Sequence, residues 1–429
     1  MFREILSNNK LLSITIGLIF ILASLTHILN YVQIFGYSLT NGFVVLIVLL
    51  ALLQVRYRTL LSELNLLKGN LLVVLFIILG IIVTFMNDGF YVKSSLQNLF
   101  VYMSFLGILF FSLSIKISFK IDMKKLLNLF FLMLFFLSSL VELTELYIFG
   151  LEWGHNLIRK TIPHVDARSL VMVILLYMAW YISLWVVTQK SFYFLIALIG
   201  FILIYLSLSR MAVLIALLLL LVGVVLSGFK KKKDIAIGML VMFTLLIITL
   251  STNTLLKTRY IDTIYMSSNV SNVSNVSNVS NVSELMIDTS GRGVLWGELY
   301  ESFQKSVWIG QGFGSAEVIP RESVWKRYSL VQPCNDHLRL LHDVGVIGYI
   351  LLIFQIIIWM KLFIQNYVKN TDLYVKQFSL TSILLLVSVI MLAITDNPII
   401  YSYIMLPTAL IIGITQNIIK SNNENFISA

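Results

Sequence analysis

Twelve long apolar runs, at approximately 11–29, 39–55, 71–87, 97–117, 125–149, 169–188, 191–208, 211–229, 235–252, 344–366, 377–395 and 398–418, constrain this chain more than anything else in it. Each is close to the roughly 20 residues that a helix needs to cross a bilayer. The apolar residues come in uninterrupted blocks rather than at alternating or one-faced helical spacing, the pattern of helices surrounded by lipid and by one another. The expected fold class is an all-α polytopic integral membrane protein with about twelve transmembrane helices and one large extracytoplasmic loop containing short helices. Composition excludes the alternative: 59% of residues are hydrophobic and 12% charged, against about a quarter charged in a water-soluble domain.

The basic residues explain the net charge of +10 as topology, because they cluster beside the apolar runs instead of lining one face. Arg56, Arg58 and Lys68, then Lys116, Lys120, Lys124 and Lys125, then Lys190, Lys230 to Lys233, and finally Lys361, Lys369 and Lys376 all fall in alternate loops. By the positive-inside rule those loops and both termini are cytoplasmic, which puts 150–168 and 251–343 outside. No cleavage-site pattern follows the first run, so it reads as a retained span. Nucleic acid is not an expected partner.

Three regions follow: an N-terminal helix bundle over 1–252 with an external loop at 150–168, a large extracytoplasmic loop over 253–343, and C-terminal helices over 344–429. Within the large loop, Asn269 to Ser283 repeats Asn-Val-Ser five times and reads as a low-complexity linker, since isolated valines in a polar tract cannot build a core. The remainder is richer. Leu295 to Phe303 has helical apolar spacing, Gly310-Gln311-Gly312-Phe313-Gly314-Ser315 follows, and Asn335 to His342 reads as a short helix running toward the span that starts at Val344.

The chain lacks a Walker loop, a His-Glu-x-x-His helix, a Gly-x-Ser-x-Gly elbow and a Cys-x-x-Cys pair in a usable context. Its one cysteine, Cys334, excludes an internal disulfide and a thiolate cluster. The alternating glycines 310, 312 and 314 resemble a phosphate cradle without its Lys-Ser or Lys-Thr helix start, so a turn that needs glycine backbone freedom competes with a phosphate site. Arg210 interrupts two apolar runs in Tyr205-Leu-Ser-Leu-Ser-Arg210. It is either a snorkelling charge or a ligand for diphosphate oxygens, which match its forked guanidinium. The 150–168 loop packs Glu152, His155, Arg159, Lys160, His164, Asp166 and Arg168 into nineteen positions. Anion binding by Arg159 and Arg168 stands there against plain solvated charge, and no carboxylate spacing supports a metal.

The densest constellation is Pro333-Cys-Asn-Asp-His-Leu-Arg-Leu-Leu-His-Asp-Val-Gly-Val-Ile-Gly348. On a helix, Asp336, Arg339 and Asp343 share a face, which gives Arg339 an ion-pairing role. His337 is the group suited to accept a proton from a hydroxyl near neutral pH.

Taken in order, Leu208-Ser209-Arg210, then Ser290-Gly291-Arg292 with Trp296 and the glycine series, then Cys334-Asn335 through Arg339 to Gly345-x-x-Gly348 resemble the O-antigen ligase and polymerase superfamily of bacterial envelope glycan enzymes. The resemblance covers about the second half of the chain and implies a GT-C-like architecture. It also implies glycosyl transfer from undecaprenyl-diphosphate-linked oligosaccharide at the outer face of the cytoplasmic membrane. The family arginines that engage the diphosphate map to Arg210 and Arg292, with Arg339 a further candidate. Together with the residues singled out above, the expected site has His337, Arg210 and Arg292 as catalytic groups and Arg339, Arg159, Arg168, Asn335, Gly312 and Gly314 as substrate-binding groups, with no metal and no cofactor. The partners it implies are the lipid-linked glycan, the bilayer, a chain-length regulator and a flippase.

One departure stands out: Cys334 occupies the position where the family has histidine before Asn335. A thiol is a poor base at neutral pH, and His337, about one helical turn later, is the expected substitute. The favoured activity is a repeat-unit polymerase for capsule, exopolysaccharide or O-antigen. The alternatives are a ligase that moves finished glycan to lipid A core or protein and, from another class, a lipid-linked oligosaccharide flippase. Transporters place their sites among interrupted helices of repeated halves, and neither feature is visible in the sequence.

Overall fold

A computed structural model of the chain describes residues 2–29, 33–34, 37–55, 69–87, 92–115, 120–150, 167–228, 231–251, 292–319 and 332–427. The helices are α1 (Phe2–Leu29), α2 (Leu39–Gln54), α3 (Leu71–Met86), α4 (Val92–Ser114), α5 (Lys120–Phe149), α6 (Ala167–Thr188), α7 (Ser191–Leu206), α8 (Arg210–Leu226), α9 (Lys232–Ser251), α10 (Arg292–Phe303), α11 (Asp336–Lys369), α12 (Leu373–Leu392) and α13 (Ser402–Ile427). A two-residue antiparallel hairpin, Gln33–Ile34 with Tyr37–Ser38, joins α1 to α2.

Every apolar run falls on one of these helices, and the helical fold class follows from that. Six helical stretches among the described residues are long and apolar enough to cross a membrane: Ser94–Ser114, Met123–Ile148, Ser169–Thr188, Asp336–Lys369, Leu373–Leu392 and Ser402–Asn422. Others are shorter. Leu39–Gln54 and Leu71–Met86 have sixteen residues each, a rise of about 24 Å against a hydrocarbon core of about 30 Å. Six of the twelve expected spans thus coincide with helices of qualifying length and composition among the described residues, beside shorter apolar ones.

Helix α6 is the axis of the bundle. Its apolar window is 94% buried because α5, α7, α8 and α12 pack around it, which is why its sequence is apolar on all sides. Between helices in lipid, close packing and hydrogen bonds replace the hydrophobic drive. Both are present. Ser183 and Thr381 share a 2.6 Å hydrogen bond between α6 and α12, and Ser382 and Thr415 a 2.8 Å one between α12 and α13. At the cross-over of α3, α11 and α13, Asn70 donates to Gln416 (3.0 Å) and accepts from the Trp359 indole (2.9 Å).

The segment from α10 to α11 is built differently. Helix α10 spans the stretch expected to be helical from its apolar spacing, and it packs on α11 with Leu295 and Leu299 buried. Helix α11 joins the expected short helix to the following span, but it breaks at Gly345, whose φ of 65° and ψ of −175° are non-helical. The sequence boundary at 343/344 thus lies inside one broken helix. The break orphans backbone groups on both sides, and the loop after α10 satisfies them. Val346 and Ile347 N–H donate to Val307 and Trp308 carbonyls (2.9 and 3.1 Å), while Gln311 and Gly312 N–H donate to His342 and Asp343 carbonyls (2.9 and 2.7 Å).

Candidate functional site

The glycine loop is a dock for the protein itself. Gly310, Gly312 and Gly314 all have positive φ, at 76°, 98° and 78°. Each faces a different backbone: Gly310 meets Asp343 and Gly345, Gly312 meets Thr84 of α3, and Gly314 meets Ser94 of α4. A side chain at Gly312 would put its Cβ 2.8 Å from the Thr84 Cα, so close approach and the left-handed backbone both require glycine there. Phe313 is inserted between them. Its N–H donates to Thr84 Oγ1 at 2.8 Å, and its ring packs 4.6 Å from Tyr102 and 5.7 Å from Phe76, on the bare surface of Gly80.

Asp343 fastens this loop to α11. Its Oδ2 accepts from Gly314 N–H (2.9 Å) and its Oδ1 from Ala316 N–H (2.9 Å) and Ser315 Oγ (3.0 Å). With Ser315 and Glu317 N–H donating to Gly312 and Gly314 carbonyls, the N–H groups of Gly312 through Glu317 are all used inside the protein. Of the two readings of the glycine series, this geometry is that of the turn.

The other end of the α11 face carries a buried polar network. Arg339 is 0% exposed. It donates through Nε to Asp336 Oδ1 (2.7 Å), through Nη1 to Asn98 Oδ1 (2.6 Å) and through Nη2 to Tyr102 Oη (3.2 Å). Asp336 also accepts from Ile399 N–H (2.7 Å), and Asn98 donates to Glu317 (2.8 Å). The i,i+3 pair expected from spacing forms. Asp343, its expected companion, is taken by the loop. An apolar cavity of about 50 Å³ lies below Tyr102, lined among others by Phe76, Phe105, Trp359, Ile390 and Ile399.

The remaining sequence candidates are dispersed. Arg210 is partly buried and opens α8, just after Leu208 turns the chain with a φ of 58°. Asn335 caps α11, its side chain accepting from Leu338 N–H at 3.0 Å. Cys334 is buried with a φ of 51°. His337 Nε2 faces the Ile390 carbonyl (3.1 Å) and its Nδ1 the Tyr349 hydroxyl (3.0 Å). A carbonyl only accepts, so Nε2 carries the proton and Nδ1 receives the Tyr349 hydrogen. Arg168 and Arg292 lie in the opening turns of α6 and α10. The rest of the 150–168 loop, with Glu152, His155, Arg159, Lys160, His164 and Asp166, lies outside the described residues, as do the 269–283 tract and Ser290-Gly291.

Sequence reasoning passed over His342, Ser302 and Ser315. His342 is 1% exposed; its Nε2 lies 3.0 Å from Ser302 Oγ and its Nδ1 3.1 Å from Ser315 Oγ and 3.4 Å from Asp343 Oδ1. The two serines are 40 and 27 residues distant from it in the chain, beyond the reach of any helical spacing rule.

A family model described as O-antigen ligase matches residues 192–353. Over those residues the chain is similar to the O-antigen ligase family, which supports the superfamily resemblance carried by its motifs. The match runs from the start of α7 into α11, so it contains Arg210, α10, the glycine loop and the broken helix. It does not reach α1 to α6 or α12 and α13. Members of the family are glycosyl-transferring enzymes, and lipid-linked glycans in a membrane are the substrates the family suggests. The apolar helices and the family together imply an integral membrane protein. No curated protein matches the chain.

Proposed function

We propose that this chain is a repeat-unit polymerase. It transfers a growing glycan from undecaprenyl diphosphate to the sugar hydroxyl of another lipid-linked unit, at the outer face of the bacterial cytoplasmic membrane. The observation that carries the reading is the family match across 192–353, because it encloses all three motif groups in their expected order. On this reading the chain crosses the membrane about twelve times, its termini are cytoplasmic, and the 150–168 and 253–343 segments lie outside.

Two demands define the chemistry. As the hydroxyl oxygen attacks the anomeric carbon, the bond to the diphosphate breaks and negative charge gathers on the leaving group; Arg210 and Arg292 neutralise it, with Arg159 and Arg168 binding the rest of the anion. The acceptor must also be held in line and kept from competing with water. Clamping the 307–317 loop onto α3, α4 and α11 supplies a rigid floor for that alignment. Arg339 is spent differently: with three protein acceptors in place, its part is to fix α11 against α4 beneath the site.

Gene deletion tests the assignment. A cell lacking a polymerase exports single repeat units, whereas long polymer retained on the lipid carrier would mark a ligase acting on lipid A core or protein. Purified protein that extends lipid-linked glycan in detergent, with no gradient, counts against a flippase.

A further inference from the structure

We propose that Ser302 and His342 form a proton relay that deprotonates the acceptor hydroxyl, an inference that rests on the glycosyl-transfer reading. The hydrogen-bond inventory fixes the direction of the relay. Ser315 Oγ has one hydrogen and lies 2.7 Å from the Gly312 carbonyl and 3.0 Å from Asp343 Oδ1, both acceptors, so it has none for His342. In the neutral ring Nδ1 therefore carries the proton and donates toward Ser315 Oγ and Asp343 Oδ1, which leaves the Nε2 lone pair aimed at Ser302 Oγ. Gln311 Nε2 completes the pattern. It can only donate, and it lies 3.3 Å from Ser302 Oγ, so the serine oxygen accepts there and turns its own hydrogen to His342.

A nucleophile-type hydroxyl, a base and an orienting carboxylate are thus in sequence, the arrangement by which a ring of fixed tautomer takes up a proton. His337 lacks this freedom, because its lone pair already receives the Tyr349 hydrogen. Ser302 is partly exposed while His342 is enclosed, so substrate meets the serine. One turn earlier on the same face of α10, Glu298 has an oxygen shielded from water with no hydrogen-bond partner among the described residues, an acceptor for a second sugar hydroxyl. In the step itself, the acceptor O–H proton passes to Ser302 Oγ as the Ser302 proton passes to His342 Nε2. The acceptor oxygen bonds to the anomeric carbon, and the electron pair of the broken bond leaves with the lipid diphosphate. Asp343 balances the charge gained by the ring.

The test uses full-length protein in nanodiscs and, as substrate, the undecaprenyl-diphosphate-linked glycan extracted from cells deleted for the gene. Ser302→Ala and His342→Gln are expected to lower the rate of glycosidic-bond formation by about 100-fold or more, with donor affinity within about twofold of wild type. Ser302→Thr, which keeps the hydroxyl, restores most of the rate. The wild-type rate falls about tenfold per pH unit on its acid limb, and His342→Gln abolishes that limb. A wild-type rate in Ser302→Ala, or an acid limb that persists in His342→Gln, overturns the relay. Should His342→Gln fail to insert, Ser302→Ala and its threonine rescue decide alone. If Arg210→Ala stops transfer while Ser302→Ala does not, the glycosyl-transfer reading stands and the relay falls. Absence of transfer by the wild type from that extract overturns both.

Discussion

The carboxylate of Asp343 grips the backbone of Gly314, Oδ2 to N–H at 2.9 Å, from two residues before the helix break, and so ties a loop to a helix that spacing alone would have left apart. Replacing it with alanine strands the Gly314 and Ala316 N–H groups in a buried place, at about 1–3 kcal/mol each. Asp343→Ala is accordingly expected to expose the 307–317 loop to protease and to lose glycan extension. Limited proteolysis of native membranes beside a polymer gel measures both.

Gly345 is held in a conformation that only glycine adopts freely, and a Cβ there would run into the Trp308 carbonyl. Gly345→Ala costs about 1–3 kcal/mol in backbone strain alone, before the clash. Gly297, on the exposed side of α10, has nothing within 4 Å of a built Cβ; Gly297→Ala raises stability by about 0.5–1 kcal/mol. Thermal unfolding of the two variants in one detergent should move in opposite directions.

Arg339 and Asp336 form an ion pair with both side chains at 0% exposure. Removing one partner leaves the other charge buried and uncompensated, a loss of about 3–5 kcal/mol. Arg339→Ala is expected to reduce the amount of protein in the membrane, whereas Arg210→Ala and Arg292→Ala abolish chain extension at wild-type abundance. Immunoblots of membranes set against polymer length profiles separate the two outcomes.

Phe313→Ala empties the space between Phe76, Tyr102 and Gly80. In a core, such a truncation costs about 3–5 kcal/mol, and here the void adjoins the apolar cavity that Phe76 and Tyr102 also line. A lower unfolding temperature with unchanged helix content by circular dichroism is expected. Unchanged unfolding would mean that the phenylalanine does not lock the loop between α3 and α4.

What the chain determines by itself is the position and class of its helices, since a run of apolar residues near bilayer length has few other ways to fold. α10, the start of α11 and the Asp336–Arg339 pair were legible for the same reason, as local spacing on one helix governs them. The partners of Asp343 and His342 were not. Helical geometry allowed Asp343 to join Arg339, yet the break at Gly345 opened donors and acceptors that only the glycine loop, some thirty residues earlier in the chain, could satisfy. Once that loop docks, its free N–H groups claim Asp343 and its Ser315 sets the proton of His342. Contacts of this kind arise from unsatisfied backbone at a helix break, a demand that exists only when the chain is folded.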